Sequence, residues 1–420
     1  MVSDALVIGA GLGGALAAAV LSRAGLKVVV VDRHAAYPPD FRAEQLVGSQ
    51  ADTLRHLGLL EGIVGQTTPM PSATAACHGK VIDATYCDHY GLRYEEMVNA
   101  ARALSAPTTF ITGRVAQIVT GAEAQKVHLA DGRVLDTRLV VFAAGPNSGD
   151  LLSSLGIERT MLSEHHSLTF GFDVETASRG VFVYYGERTA DQMDYLTVFP
   201  IGNRMRANLF CYLHPNDPWA RSFKHSPKQA LLSVMPSLER ALGPFEVVGK
   251  VQVRPNSIQR AENVRGQAGI VVIGDAYQSS CPAVGTGIGR LLADIEALNR
   301  HVSLWLATPG MDADKIEQFY DDPAKRKVDA HALRIAKSRR ALCTGTGWGW
   351  QAYRAQHYYR RRTLGVILRA IRRERPRLDG TIAGPQHLQL RADAPIRARA
   401  SGWEAAKRAV MAAITLLTIG

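Results

Sequence analysis

Two glycine-rich stretches, far apart in the chain, contain the residues whose types and spacing could bind a nucleotide. The first is GAGLGG at residues 9–14, and the acid Asp32 stands at the end of the next apolar run. Glycines at this spacing allow a tight turn and a close approach of a pyrophosphate to backbone N–H groups, and an acid there can bind a ribose diol. The pattern predicts a dinucleotide site for either FAD or NAD; a purely structural turn is the alternative.

The second stretch, GDAYQSSCPAVGTGIG, occupies residues 274–289. Its acid, Asp275, could bind the hydroxyl groups of a polyol. The N–H groups of Gly287 and Ile288, at the start of a helix, could face an electron-rich carbonyl. These features predict a second surface that faces a cofactor.

Each stretch lies between elements that would position it. Residues 4–8 and 27–32 are typical of buried parallel strands, and a small-residue helix at 15–25 separates them, which is the βαβ context that the first stretch requires. The second stretch follows an apolar strand at 268–273 and precedes a helical pattern at 290–300. We therefore expect an α/β (α+β) fold with a Rossmann-like nucleotide-binding domain.

The second stretch resembles a motif of the group A FAD-dependent monooxygenases, the para-hydroxybenzoate hydroxylase-like aromatic hydroxylases. That family carries GD-A-x5-PxxGxG late in the chain, and the matching positions here run from Gly274 to Gly287. The resemblance implies one FAD held from both ends, with Asp275 at the ribityl chain and the Gly287 and Ile288 amides beside the isoalloxazine. It also implies hydroxylation of an aromatic or lipophilic small molecule by molecular oxygen, through a flavin C4a-hydroperoxide and with NADPH or NADH as electron donor.

The glycine motif and the resemblance together assign the cofactor-binding residues. Arg42 occupies the place of a family arginine that reaches the FAD phosphates, Arg93 precedes a helix as a family arginine does, and Val115 lies in the adenine-side strand. The expected set is Gly9, Gly11, Leu12, Gly13, Gly14, Asp32, Arg33, Arg42, Arg93, Val115, Gly274, Asp275, Gly287 and Ile288. We assign no metal ligand and no catalytic side chain, because the oxygen chemistry of this family rests mostly on the cofactor.

The sequence also departs from the family pattern. The fingerprint DGxxSxxR should follow the strand at 139–143, but Ala144 replaces its acid and Leu151 replaces its arginine. Gln278 and Gly289 stand where a histidine and an asparagine are common. Since the family fingerprint is associated with both FAD and the reduced nicotinamide, we expect a divergent member and leave the electron donor open.

Residues 161–254 predict an inserted antiparallel-sheet substrate domain, because their apolar runs are short, alternating and separated by turn residues. In the family this sheet lies over the flavin. The substrate candidates are Phe182, Tyr184, Phe210, Tyr212 and Pro282; the two rings of each strand should share a face. Burial in the core of the sheet is the alternative for each ring. His165, His166 and His214 are candidate bases for a phenolic substrate, with a structural role as the alternative.

The expected domain organisation is discontinuous. We assign residues 1–70, 91–160 and 255–320 to the FAD-binding domain, residues 71–90 and 161–254 to the substrate domain, and residues 321–420 to a helical C-terminal region. That region is basic, with 21 Lys or Arg against seven Asp or Glu. Its apolar positions at 403–419 are spaced for one helical face, which favours peripheral contact with an anionic membrane. A basic face packed on the flavin domain is the alternative.

Composition and sequence patterning also indicate where the protein acts and which partners it has. Five cysteines without metal-ligand spacing, and the lack of an apolar run long enough to span a bilayer, predict a cytoplasmic protein that the basic region could bring to a membrane. Nucleic acid is not an expected partner, because no aromatic-interleaved basic motif is present. An FAD monooxygenase is the favoured function. The alternatives are an FAD-dependent reductase or dehydrogenase of an isoprenoid-like substrate, and an FAD-binding accessory protein with little turnover.

Overall fold

The computed structural model describes residues 2–105, 108–356, 359 and 363. The described residues all belong to one compact unit, Met1–Ala370. The basic helical patterns predicted after residue 363 lie outside the described residues, so their membrane contact stays a prediction.

The strands and helices are numbered in chain order. The strands are β1 (Ser3–Ile8), β2 (Val28–Asp32), β3 (Gln45–Leu46), β4 (Thr68–Cys77), β5 (Lys80–Gly91), β6 (Thr109–Thr112), β7 (Val115–Val119), β8 (Gln125–Leu129), β9 (Val134–Phe142), β10 (Arg159–Thr176), β11 (Val181–Tyr185), β12 (Met193–Ile201), β13 (Arg204–Cys211), β14 (Phe245–Ala261) and β15 (Ile270–Val272). The helices are α1 (Leu12–Arg23), α2 (Gly48–His56), α3 (Leu60–Val64), α4 (Tyr94–Ala103), α5 (Gly149–Ser153), α6 (Pro218–Ser222), α7 (Pro227–Val234), α8 (Leu238–Leu242), α9 (Thr286–Leu306), α10 (Ala313–Asp321) and α11 (Pro323–Thr344). Short 3-10 turns lie at Thr189–Asp191, Gly274–Ala276 and Pro282–Val284.

The first sheet has the strand order β6-β2-β1-β9-β8-β7, with β15 paired to β9. Strands β6, β2, β1, β9 and β15 pair in parallel, and β8 and β7 add an antiparallel edge. Ala5, Leu6 and Val7 of β1 are fully buried, as expected for a central strand of a parallel sheet covered on both faces. The Rossmann-like architecture predicted from the sequence is confirmed.

Helices α1 and α9 bring the two glycine-rich stretches together. Each helix begins at one of the stretches, and the two helices pack against each other beside the first sheet. The run Ala15–Ala19 of α1 is buried, because small side chains let the helix approach its neighbours closely. Residues far apart in sequence therefore meet at one edge of the sheet.

The second sheet has the strand order β14-β10-β13-β12-β11-β4-β5-β3. All of its described pairs are antiparallel except β4 with β11. This confirms the antiparallel sheet predicted from residues 161–254, which β4 and β5 extend. One face of the sheet packs against α6, α7 and α8 through Phe223, Leu231 and Leu238. The opposite face turns toward the nucleotide-binding sheet.

Helix α11 packs along α9 and belongs to the region predicted to be helical and basic. Its inner side buries Lys325, Ala332 and Ala336. Within the described part of the chain, no helix has the length and apolarity that crossing a bilayer requires.

Candidate functional site

A cavity of about 980 Å³ lies between the carboxyl edge of the first sheet and one face of the second. Both glycine-rich stretches line it, together with the turn around Arg42. The sequence-predicted residues that line this cofactor cavity are Gly9, Gly11, Leu12, Gly13, Asp32, Arg33, Arg42, Gly274, Asp275, Gly287, Ile288, Phe210 and Pro282. The fold thus brings the two predicted nucleotide-facing surfaces into one site.

Packing of the first glycine loop requires glycine at two positions. Gly9 has φ of +90°, and a Cβ atom there would lie 2.7 Å from the Cα atom of Ala144. A Cβ atom at Gly14 would lie 1.7 Å from the carbonyl oxygen of Gly9. Gly14 therefore does not line the cavity but lets α1 begin directly against the loop.

Hydrogen bonds from neighbouring backbone fix the carboxylate of Asp32 beside the first glycine loop. Its carboxylate accepts hydrogen bonds from the N–H groups of Ala10 at 2.7 Å and His34 at 2.8 Å. Arg102, near the end of α4, lies 3.3 Å from the same carboxylate and donates to the carbonyl oxygens of Ala10 and His34. Arg102 thereby fixes the β1–α1 loop against the end of β2.

The late glycine loop is braced by two charged residues. The N–H of Gly274, a residue with φ of +63°, donates to buried Asp294 of α9 at 2.8 Å. Arg159, at the start of β10, donates to the carbonyl oxygens of Asp275 at 2.9 Å and Pro146 at 2.7 Å. This arginine links the late loop to the segment in which the family fingerprint is eroded at Ala144.

Behind the late loop lies a buried cluster of four charges, which we call the charge network: Arg290, Asp294, Lys325 and Asp329. Lys325 Nζ lies 2.6 Å from Asp294 and 2.8 Å from Asp329, and Arg290 lies 3.4 and 3.3 Å from the same carboxylates. Burial opposes the charge of Lys325, but the two carboxylates raise its pKa above the ordinary value. The network connects α9 and α11 to the loop through the Gly274 N–H.

A second group of charges surrounds Arg42. Its guanidinium donates to Asp40 at 2.7 Å and to Asp275 at 3.2 Å, and Arg254 donates to Asp40 at 3.0 Å. Burial works against the Asp40 carboxylate, yet the charge and hydrogen bond of Arg42 hold its pKa below the ordinary value. Burial raises the pKa of Tyr94, whose ring lies beneath Arg42, to about 12. Arg42 is therefore a fixed cation at the cavity wall.

The residues present fit an FAD molecule. At Gly11 and Gly287 a Cβ atom would have no heavy atom nearer than 3.9 Å, so these glycines leave backbone open to the cavity. The N-termini of α1 and α9 both lie at the cavity, and helix N-termini favour electron-rich groups. Two such ends and the Arg42 guanidinium at one cavity suit a long, anionic dinucleotide.

Four buried polar atoms of the cavity wall have no hydrogen-bond partner among the described residues. They are Thr169 Oγ1, Asn208 Oδ1, Asn256 Nδ2 and Ser280 Oγ. Buried polar groups in native proteins are nearly always paired with protein, ordered water or a bound molecule, so these atoms have hydrogen-bonding capacity that the described residues do not use. They lie on the second sheet and beside the late loop, where the wall is made by side chains.

Two of the predicted cofactor residues lie elsewhere. Arg93 is exposed at the start of α4, and its nearest carboxylate is Glu96 at 3.9 Å. Val115 begins β7, at the edge of the first sheet. The Arg93 side chain does not line the cofactor cavity, and in the α4 region it is Arg102 that reaches the glycine loop. The contact expected at Val115 is through its backbone and stays a prediction.

Three of the predicted substrate residues also lie away from the cavity. Phe182 and Tyr184 share a face, as expected, with ring centroids 6.1 Å apart, but this is the face covered by α6, α7 and α8. Tyr212 shares the face of Phe210 and packs near α11, where its hydroxyl donates to Asp194 at 2.9 Å. Alternation shows which residues share a face, whereas the covering helices decide which face is open.

The three candidate histidine bases do not line the cavity. His165 and His214 contact each other edge to face, with ring centroids 4.4 Å apart. His166 is buried near Tyr212, and burial, with Arg340 and Lys337 nearby, lowers its pKa to about 4. These positions favour the structural alternative.

Sequence reasoning missed Arg102, Arg159 and Tyr195. The two arginines act through contacts with backbone of distant segments, which leave no local motif. Tyr195 lines the cavity from β12, one strand away from the rings chosen from the sequence. It lies within residues 161–254, which predict the antiparallel sheet, and only its position beside Phe210, with 4.8 Å between ring centroids, distinguishes it.

Comparison with known proteins adds an independent observation. A family model described as an FAD binding domain matches residues 2–306. The fold is similar to that of the p-nitrophenol 4-monooxygenase PnpA from Pseudomonas putida DLL-E4, at 17% identity over 89% of this chain and 96% of that chain, with a TM-score of 0.70. It is also similar to PqsL, a probable FAD-dependent monooxygenase from Pseudomonas aeruginosa, at 20% identity over 82% and 100%, with a TM-score of 0.64.

A third similar structure is that of the halogenase PltM, solved in complex with phloroglucinol and FAD. The identity is 16% over 81% of this chain and 76% of that chain, with a TM-score of 0.63. At such identities these likenesses show a shared fold. No curated protein matches the sequence.

Proposed function

The chain belongs to the FAD-binding-domain family of group A flavin monooxygenases, as a divergent member, and we propose that it hydroxylates an aromatic or lipophilic small molecule. The observation that carries this proposal is the composition of the cavity wall. Both glycine loops form one end, and a side-chain surface with unpaired polar atoms forms the other. A cofactor and a small ligand can therefore meet in one enclosed space.

The residues of the glycine-loop end would bind and orient FAD. The N-terminus of α1 and Arg42 suit the pyrophosphate, Asp32 the ribose, and Asp275 the ribityl chain. The N-terminus of α9, at Gly287 and Ile288, suits an electron-rich ring carbonyl. Bound FAD, once reduced, supplies the activation of molecular oxygen, which protein side chains do not provide.

The sheet end would hold the substrate and exclude water. The ring of Phe210 and the pyrrolidine of Pro282 are apolar, whereas Thr169 and Asn208 offer hydrogen-bonding atoms. Such a wall suits a flat, mostly apolar molecule with one or two polar groups. Keeping water from this end protects the reaction from side reactions.

The test is anaerobic stopped-flow reduction of the FAD-loaded protein by NADH and by NADPH, with a panel of phenols, quinolones and quinones that includes p-nitrophenol. We expect one nicotinamide to reduce the flavin, faster with a substrate present, and a hydroxylated product once oxygen is admitted. Reduction of a polyprenyl compound without oxygen would instead establish the reductase alternative. A flavin that neither donor reduces, together with a stable protein partner, would favour the accessory role.

A further inference from the structure

A second cavity, of about 800 Å³, lies on the far side of Tyr195 from the cofactor cavity. We call it the outer chamber. Tyr195, Ala283 and Val284 line both cavities. The rest of its apolar wall comprises Val183, Tyr185, Ile335, Leu342, Trp350 and Tyr353. The volume is typical of sites for drug-sized ligands.

Among the described residues, the outer chamber offers a ligand aromatic and aliphatic surface and no charged side chain that lacks an ion-pair partner. Arg339 of α11 also lines it, and its guanidinium forms a bidentate ion pair with Asp194, with N–O distances of 2.5 and 2.8 Å. Asp194 is buried and also accepts a hydrogen bond from Tyr212. Because the pair is neutralised internally, the chamber favours a neutral aromatic molecule over an ion.

Tyr195 lies between the outer chamber and the cofactor cavity, and a small number of contacts hold its side chain there. Its hydroxyl donates to the carbonyl oxygen of Ala283 at 2.7 Å, and Ala283 belongs to the late glycine loop. Its ring packs against Phe210 on one side, and the Arg339 guanidinium lies 5.6 Å from its centroid on the other. Breaking this hydrogen bond and rotating the side chain would move the largest of the three residues that line both cavities.

We propose that the outer chamber binds a neutral aromatic molecule and that Tyr195 is the gate through which this molecule reaches the flavin. Binding in the chamber stands on the chamber's own residues. Passage to the flavin rests on the proposed function of the cofactor cavity. Tyr195 thus has two roles: it forms part of the cavity wall, and it selects by size and charge the molecules that reach the flavin.

The chamber is tested by calorimetric titration of the FAD-loaded protein with 2-naphthol, a neutral two-ring phenol. Trp350 lines the chamber, whereas Trp348 is 85% exposed and does not line it, so these two residues make a matched pair. We expect Trp350→Ala to weaken binding about fivefold and Trp348→Ala to leave it within about twofold. Ser338→Trp, which fills the chamber from α11, should abolish binding.

Three results would overturn the chamber as a binding site. They are no binding to the unaltered protein, equal weakening by the two tryptophan variants, and unchanged binding by Ser338→Trp. Circular dichroism and flavin content identify any variant that fails to fold, and the remaining two variants then decide.

The gate is tested by stopped-flow mixing of 2-naphthol with the oxidised holoprotein, following the absorbance of the bound flavin. Tyr195→Phe keeps the ring and removes the bond to Ala283. We expect the flavin signal to form about threefold to tenfold faster, with calorimetric affinity within about twofold. An unchanged or slower rate, or no flavin signal in either protein, would refute the gate.

Neither measurement uses turnover, oxygen or a reductant. If the protein binds 2-naphthol in the chamber but forms no oxygen-dependent product, the chamber is supported as a binding site and the monooxygenase proposal is refuted. If the protein hydroxylates a panel compound but all variants give identical titrations, the proposed function is supported and the chamber is refuted as a binding site.

Discussion

The two ends of the cofactor cavity are built differently. At the glycine-loop end, backbone packs on backbone so closely that Gly9 and Gly14 have no room for a Cβ atom. At the sheet end, side chains form the wall, and Thr169 Oγ1 and Asn208 Oδ1 have no partner among the described residues. The first end is fixed by packing within the protein. The second end has hydrogen-bonding groups that the described residues do not use.

Substitutions at the two ends are therefore expected to have different effects on stability and on ligand binding. A substitution in the packed end should reduce the stability of the fold, whether or not a ligand is present. A substitution on the sheet end, or at a glycine that faces open space, should leave the fold and reduce ligand binding. We therefore compare each substitution with a second substitution at a residue of the same type in a different environment.

The largest effect is expected for Gly14→Ala. The new methyl group would meet the Gly9 carbonyl oxygen at 1.7 Å, and neither backbone segment can move without disturbing β1 and α1. We expect a loss of about 4 kcal/mol or more in the free energy of unfolding of the FAD-free protein, measured by urea denaturation. A loss below about 1 kcal/mol would show that the loop is not packed as described.

The next largest effect is expected for Lys325→Met in the charge network. It leaves the buried Asp294 and the half-buried Asp329 with Arg290 as their remaining partner in the network, and breaking a buried ion pair is strongly destabilising. We expect a loss of about 3 kcal/mol in the same measurement. Lys327→Met, on the exposed side of the same helix, is the control and should change stability by less than about 0.5 kcal/mol. Equal effects of the two substitutions would refute the network's role.

Gly11→Ala should show the opposite behaviour to Gly14→Ala. Gly11 has φ of −64°, which alanine adopts freely, and its Cβ atom would have no heavy atom nearer than 3.9 Å. We expect the stability of the FAD-free protein to change by less than about 0.5 kcal/mol, while FAD affinity in a fluorescence titration falls about tenfold or more. Unchanged FAD affinity would mean that the pyrophosphate does not approach this loop.

The smallest effect is expected at the sheet end. Thr169→Val removes a hydroxyl that has no partner among the described residues, so stability should stay within about 0.5 kcal/mol or rise. Thr197→Val removes a hydroxyl that donates to the Asn208 carbonyl at 3.4 Å, and should cost about 0.5–1 kcal/mol. Thermal denaturation of the FAD-free variants compares the two. A larger loss for Thr169→Val would contradict the assignment of its hydroxyl to a ligand.

The same contrast explains what the sequence could predict. Gly9, Gly11 and Asp32 were predictable because a tight turn at a strand end demands specific residue types at fixed spacing. The antiparallel sheet was predictable because alternation and turn residues are local signals.

The remainder of the site depends on contacts between distant segments. Arg159 joins the late loop to Pro146, and no local pattern marks an arginine for that contact. Phe182 and Tyr184 were expected to face a substrate, but their shared face is covered by α6, α7 and α8. Which face of a sheet stays open depends on where helices from another part of the chain pack, so a strand pattern alone does not determine it.

If the two glycine loops, far apart in sequence, hold one FAD between them, each chain binds a single flavin. The most direct measurement is the ratio of flavin to protein, by absorbance, after saturation with FAD and removal of the free cofactor by gel filtration. We expect one FAD per chain. A ratio of two would show that each loop binds a nucleotide of its own, and a ratio near zero would show that the cavity is not a flavin site.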